Sequence, residues 1–79
     1  MWIEKESPSR LEKRFEFDGY QKISFFMERI EKLCKEEKIF PNISFGKNFV
    51  SISIFLDSDN MINRVNEFSS LVDKFYLED

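Results

Sequence analysis

The sequence predicts an α+β fold, a two-layer sandwich in which a four-stranded antiparallel sheet carries its helices on one face. Two observations carry this prediction. Apolar residues recur at helical spacing in two segments and alternate with polar ones in others. The segments run strand, strand, helix, strand, strand, helix, an order that suits an antiparallel sheet with segregated helices. The 79 residues contain no linker, repeat or low-complexity tract, so residues 1–79 are read as a single domain.

Residues 1–9 are polar apart from Trp2 and Ile3 and end in Ser7-Pro8-Ser9, a short edge strand or arm followed by a turn. In residues 10–17, Leu11, Phe15 and Phe17 share one face and Glu12, Arg14 and Glu16 the other, as a half-buried strand requires. Asp18 with Gln21 three residues on reads as a capping pair. Ile23, Phe26, Met27, Ile30, Leu33 and Cys34 then mark a helix over about 19–37. Pro41 is expected to end helical structure. Residues 39–45 form the next strand, with Ile39, Ile43 and Phe45 on one side. Gly46-Lys47-Asn48 turns the chain into residues 49–56, where Val50, Ile52, Ile54 and Leu56 alternate with Ser51 and Ser53. Asp57-Ser58-Asp59-Asn60 is a loop, and Met61, Val65, Phe68, Val72 and Phe75 mark a last helix ending near Tyr76.

Bulk chemistry narrows the function classes. A domain of this length buries only about 60% of its unfolded surface, so the core is thin and self-association is expected. An apolar edge near Phe49 to Phe55 is the candidate contact for a homodimer. The net charge is −3 with acids and bases interspersed, which argues against a nucleic-acid surface. No apolar run approaches the roughly 20 residues of a membrane span, and Met1 to Glu6 has no apolar core of a signal peptide. A soluble, cytoplasmic protein is expected. The single cysteine, Cys34, falls on helical apolar positions and reads as a small buried hydrophobe.

Catalytic motifs are scarce. With one Cys and no His there is no metal-ligand spacing and no nucleophile–imidazole set. Gly19 and Gly46 are isolated, so there is no phosphate-binding loop. Asp57 follows a strand end, where site residues often sit, and Asp59 reads as a helix cap. Neither has a partner suited to proton transfer.

From Leu11 to about Phe75 the chain resembles pterin-4a-carbinolamine dehydratases. The strand Arg14-Phe15-Glu16-Phe17, the helix beginning near Tyr20, Pro41 after a Glu- and Lys-rich helix, the strand Val50-Ser51-Ile52-Ser53-Ile54 and the final amphipathic helix carry the likeness. The family's His-His-Pro motif falls on Ile39-Phe40-Pro41, a further catalytic His on Asp57 and an Asp on Asn66. Imidazole moves protons near neutral pH, and Ile and Phe cannot. The resemblance therefore implies the fold and argues against the activity: no catalytic residue, metal or cofactor is expected.

A narrower resemblance rests on Trp2-Ile3-Glu4-Lys5-Glu6, on Arg10 to Phe17 and on Pro41-Asn42-Ile43-Ser44-Phe45-Gly46-Lys47. These strings are similar to pterin dehydratase-like Rubisco assembly factors of the alpha-carboxysome, which lack the catalytic imidazoles. This chain has Asn42 where an Asp is usual and Phe40 where a Tyr is usual. The likeness implies a chaperone-like protein that binds the Rubisco large subunit or an assembly intermediate, in association with the carboxysome. Candidate contacts are Trp2, Arg10, Arg14, Phe40, Ser44 and Lys47, since aromatic and Arg residues commonly anchor interfaces. Two other readings follow from the same resemblance: a surviving 4a-hydroxytetrahydrobiopterin dehydratase using Asp57 or Glu37, and a dimerisation or adaptor module for another protein.

Overall fold

A computed structural model describes residues 2–6, 9–56 and 62–78. The elements are β1 (Ile3–Lys5), β2 (Arg10–Glu16), α1 (Tyr20–Glu37), β3 (Asn42–Phe45), β4 (Phe49–Phe55) and α2 (Ile62–Glu78). The strands form one antiparallel sheet in the order β1-β2-β4-β3. The expected α+β sandwich is therefore present, with the elements in the expected order.

The alternation along the strands decides which face the helices cover. Phe15 of β2 and Val50, Ile52 and Ile54 of β4 are buried together with Ile23, Phe26, Ile30 and Leu33 of α1 and Val65, Phe68 and Val72 of α2. Burying side chains of this size contributes about 1.5–3 kcal/mol each. Registers Glu12 to Ser53, Arg14 to Ser51 and Ser44 to Ser51 place the polar positions together on the opposite, uncovered face.

Several local expectations change. Helix α1 starts at Tyr20, with Gly19 as its N-cap and no side-chain cap bond. A capping box needs its pair at the N-cap and three residues on. Asp18 lies one position too early, and its carboxylate sits 3.8 Å from Lys22 instead. The helix also stops three residues before Pro41's ring could stop it. Lys38 adopts the left-handed conformation (φ 56°), and its N–H donates to the Cys34 carbonyl. Consequently β3 begins at Asn42 rather than at residue 39, and Ile39, buried in the core, precedes it. Phe45, expected on the same side of the strand as Ile39 and Ile43, is 51% exposed. Its strand is at the sheet edge, so its ring overhangs the core rather than entering it.

A further change concerns self-association. The apolar run Phe49 to Phe55 is not an edge: β4 lies between β2 and β3 and is hydrogen-bonded on both sides. The free edges are β1 and β3. Strand β4 reads apolar because a central strand is covered on one face and flanked by neighbours along both sides. Helix α2 continues two residues past Tyr76, to Glu78. Leu77 is exposed, so the apolar pattern had no reason to mark the end.

Side-chain hydrogen bonds join the helices to each other and to the sheet. Arg64 of α2 donates to the Glu37 carbonyl at the C-terminal end of α1, where a cation meets the negative end of the helix dipole. Asp73 of α2 accepts from Lys13 Nζ at 2.7 Å and from Trp2 Nε1 at 3.1 Å.

Candidate functional site

Helix α1 carries two neighbouring stripes. Ile23, Phe26, Ile30 and Leu33 point into the core. Tyr20, Ser24, Met27, Glu31 and Cys34, offset by about one residue, line a groove of about 680 Å³ between α1 and β3. The opposite wall is Phe40, Pro41, Ile43 and Phe45. Phe40 is 74% exposed, so the aromatic ring stands at the groove mouth and leaves the core alone. Tyr20 and Phe45 approach across one end, with ring centroids 6.5 Å apart. Sequence reasoning missed Tyr20, Met27 and Phe45 as groove residues. The second stripe of α1 was the available signal, but without β3 in place it merges with the core stripe.

The surface of the groove is mainly apolar. Its titratable lining residues are Tyr20, Glu28, Glu31, Cys34 and Lys35. Glu31 is paired with Lys35 at 3.3 Å on the solvent side. Burial pushes the Cys34 thiol up, and the nearby Glu31 carboxylate adds to this; a thiol held neutral is a poor nucleophile. Among the described residues, no group of three His, Cys, Asp or Glu is placed to hold a metal ion. No buried side-chain polar atom among them lacks a partner.

The resemblance points to Ile39, Phe40, Pro41, Asp57 and Asn66 as the positions of the family's motif. Ile39 is buried, Phe40 and Pro41 line the groove, and Asn66 lies on the exposed face of α2 with its carbonyl accepting from Ser69. Asp57 and Asp59 lie outside the described residues. Glu37, the alternative proton-transfer group, is the last residue of α1 and does not line the groove.

The six candidate contacts do not form one patch. Arg10, Arg14 and Ser44 occupy the uncovered sheet face by register. There Arg10 Nε holds Glu12 at 2.8 Å, and Lys5 approaches the same carboxylate at 3.4 Å. The hydrogen bond from Arg10 is the main reason the Glu12 carboxyl titrates below its ordinary value. Arg14 lies 4.2 Å over the Phe49 ring, and that ring occupies the space a Cβ on Gly46 would need, 2.2 Å away. This contact gives Gly46 in the Ile-Ser-Phe-Gly string a packing reason. Phe40 belongs to the groove, on the helical side. Lys47 sits in the β3–β4 turn. Trp2 is partly buried, edge-on to Phe15 at 5.9 Å and bonded to Asp73.

No family model matches the sequence, and no curated protein matches it. Solved structures do. One is a pterin dehydratase-like protein identified as a RuBisCO assembly factor in the alpha-carboxysome. It is 32% identical, with a TM-score of 0.83, over 95% of this chain and 88% of that one. A transcriptional coactivator/pterin dehydratase from Brucella melitensis is 13% identical with a TM-score of 0.82, covering 95% of this chain and 81% of its own, a likeness of fold. The 32% identity holds over nearly the whole of both chains. On this ground, the chain belongs to the pterin dehydratase-like family.

Proposed function

We propose that this protein is a non-catalytic Rubisco assembly factor that binds the Rubisco large subunit, or an assembly intermediate, in alpha-carboxysome biogenesis. The observation that carries the reading is the 32% identity, along nearly the whole chain, to a protein described as such a factor. The chemistry of the groove supports it. Where the dehydratases hold two imidazoles beside the proline, this chain has a buried Ile39 and an exposed Phe40. An aliphatic and a phenyl group deliver no proton to a leaving hydroxyl, but an exposed ring is suited to reversible contact.

The working surfaces in this reading are two. The uncovered sheet face offers Arg10, Arg14 and Ser44, and the groove offers Phe40. Lys47 and the exposed rim of Trp2 lie at their borders. Arg10 and Arg14 already engage Glu12 and Phe49, so both guanidinium groups are pre-positioned and less conformational entropy is lost on contact. The homodimer belongs to the same proposal, through the β1 edge of the sheet, which leaves β3 free. Assembly help of this kind requires no cofactor and places the protein with its client in the cytoplasm and at the carboxysome.

Co-expression with the Rubisco large and small subunits tests the reading. The wild-type protein is expected to retain large subunit on a pull-down and to raise the yield of assembled enzyme. Absence of both effects sinks the proposal, as does dehydration of a pterin carbinolamine by the purified protein that is lost in Asp57→Asn. Light scattering at micromolar concentration is expected to report a dimer; a monomer would remove that part.

A further inference from the structure

We infer that the α1–β3 groove seats an extended peptide segment that joins the sheet beyond β3 as a fifth strand, with alternate apolar side chains in the groove and a Lys or Arg against its acidic rim. This rests on the binding role proposed above and specifies the chemistry of what is bound.

The backbone of β3 is ready for such an addition. The Gly46 N–H donates to the Phe49 carbonyl at 3.0 Å, which sets the phase of the β3–β4 ladder. Directly opposed residues in an antiparallel pair alternate between hydrogen-bonded and non-hydrogen-bonded. Ser44/Ser51 and Asn42/Ser53 are therefore the bonded pairs, and Ile43/Ile52 and Phe45/Val50 the non-bonded ones. The N–H and C=O groups of Ile43 and Phe45 consequently point away from β4, toward the open edge. The side chains of these same two residues line the groove. A strand paired there places every second residue on the groove side, because side chains alternate along a strand.

The edge lacks the usual protection. Exposed edge strands are commonly guarded by charge. The other edge, β1, reads Ile-Glu-Lys, whereas β3 reads Asn-Ile-Ser-Phe and carries no charge. Beside it, exposed aromatics gather. Tyr20, Phe40 and Phe45, all at least half exposed, surround this one groove. Single exposed apolar residues are ordinary, but a contiguous patch marks an interaction site.

Charge selects the occupant. Glu28 and Glu31 stand one turn apart on the α1 rim of the groove. Lys35 answers Glu31, and among the described residues no cation answers Glu28. An incoming segment with a basic residue completes this rim. A second copy of this chain does so poorly: its own β3 brings no basic side chain within the strand.

The test uses a phage-displayed random dodecapeptide library selected on the full-length wild-type protein. Enriched sequences are expected to carry alternating apolar residues and a Lys or Arg. Synthetic versions should bind Phe40→Asp and Phe45→Asp at least tenfold more weakly, and Glu28→Lys several-fold more weakly. All three sites are at the surface, and circular dichroism verifies that each variant folds. N-methylation along the peptide should abolish binding at alternate residues only, and backbone amide shifts should peak at Ile43 and Phe45. The inference is overturned by no enrichment, by motifs rich in acid, by binding indifferent to the groove variants or by tolerance of N-methylation throughout. Apparent affinity that falls as protein concentration rises also overturns it, since a second copy then holds the edge. Large subunit retained equally by wild type and groove variants defeats this inference and leaves the assembly role standing. Peptides that bind as described, with no retention of large subunit, do the reverse.

Discussion

The two flanks of this sandwich are built from the same kinds of residue and end in opposite states. On the α2 flank the aromatics close on one another. Tyr76 lies 5.0 Å from Phe15 and 5.3 Å from Phe17, Phe26 lies 5.1 Å from both phenylalanines, and Trp2 caps the cluster. Polar ends are satisfied at the same place: the Tyr76 hydroxyl donates to the Glu16 carbonyl, and Asp73 accepts from Trp2 and Lys13. On the α1 flank Tyr20, Phe40 and Phe45 stand around a groove instead of filling it. Aromatic content alone therefore does not decide whether a region is core or contact surface. What differs is the neighbour. Beyond β2 lie β1 and Trp2, whereas beyond β3 the sheet ends.

That contrast can be broken on its closed side first. Phe15→Ala is expected to cost about 3–5 kcal/mol, a large share of the roughly 5–15 kcal/mol available to a folded domain. Urea unfolding should show a domain largely unfolded at 37 °C, and a loss under 1 kcal/mol would mean that the closed flank is not the structural one. Next in size, Asp73→Ala strands the Trp2 and Lys13 donors and should cost about 1–3 kcal/mol. Trp2 is the single tryptophan, so its emission should shift to the red in the folded variant. Unchanged emission would remove Asp73 as the clasp.

Smaller effects belong to the open side. Lys38→Gly relieves a left-handed non-glycine residue at the end of α1 and should raise stability by up to about 1 kcal/mol, read as an increase in melting temperature. Phe40→Ala should change stability by no more than about 0.5 kcal/mol, as for surface positions generally. A larger loss would make Phe40 a structural residue and the groove mouth part of the core. The smallest effect is electrostatic, on the uncovered sheet face. Because Arg10 holds the folded Glu12 below its ordinary value of 4.5, the pair's stabilisation is present above that value. It fades as pH falls through the depressed one. Wild type and Glu12→Gln should thus converge in melting temperature under acid and separate slightly toward neutrality, less so in high salt. Separation that grows toward acid would reverse the assignment.

Much of the covered layer was legible in the chain. The alternation of Val50, Ile52 and Ile54 and the helical stripe of Ile23, Phe26, Ile30 and Leu33 name their own faces, because burial of one face imposes a period of two or of 3.6. The absence of His was legible too, and it removed imidazole chemistry from consideration. Less legible were the strand neighbours. Phe49 to Phe55 looked like an edge because apolar alternation carries no information about what pairs on either side. The candidate contacts were chosen one by one, so their division between two faces of the sheet could not be read from the string. Trp2 and Asp73 lie 71 positions apart, and no local pattern links them.

By itself, then, the sequence determined most of the elements, their faces and the absence of imidazole, since these depend on residue type and on spacing within a dozen positions. Only the tertiary structure decided which strands are edges, that Phe40, Phe45 and Tyr20 meet around one groove, and that Arg10, Arg14 and Ser44 lie on the other side of the sheet. Those facts depend on long-range strand order, and the same local alternation is compatible with more than one order.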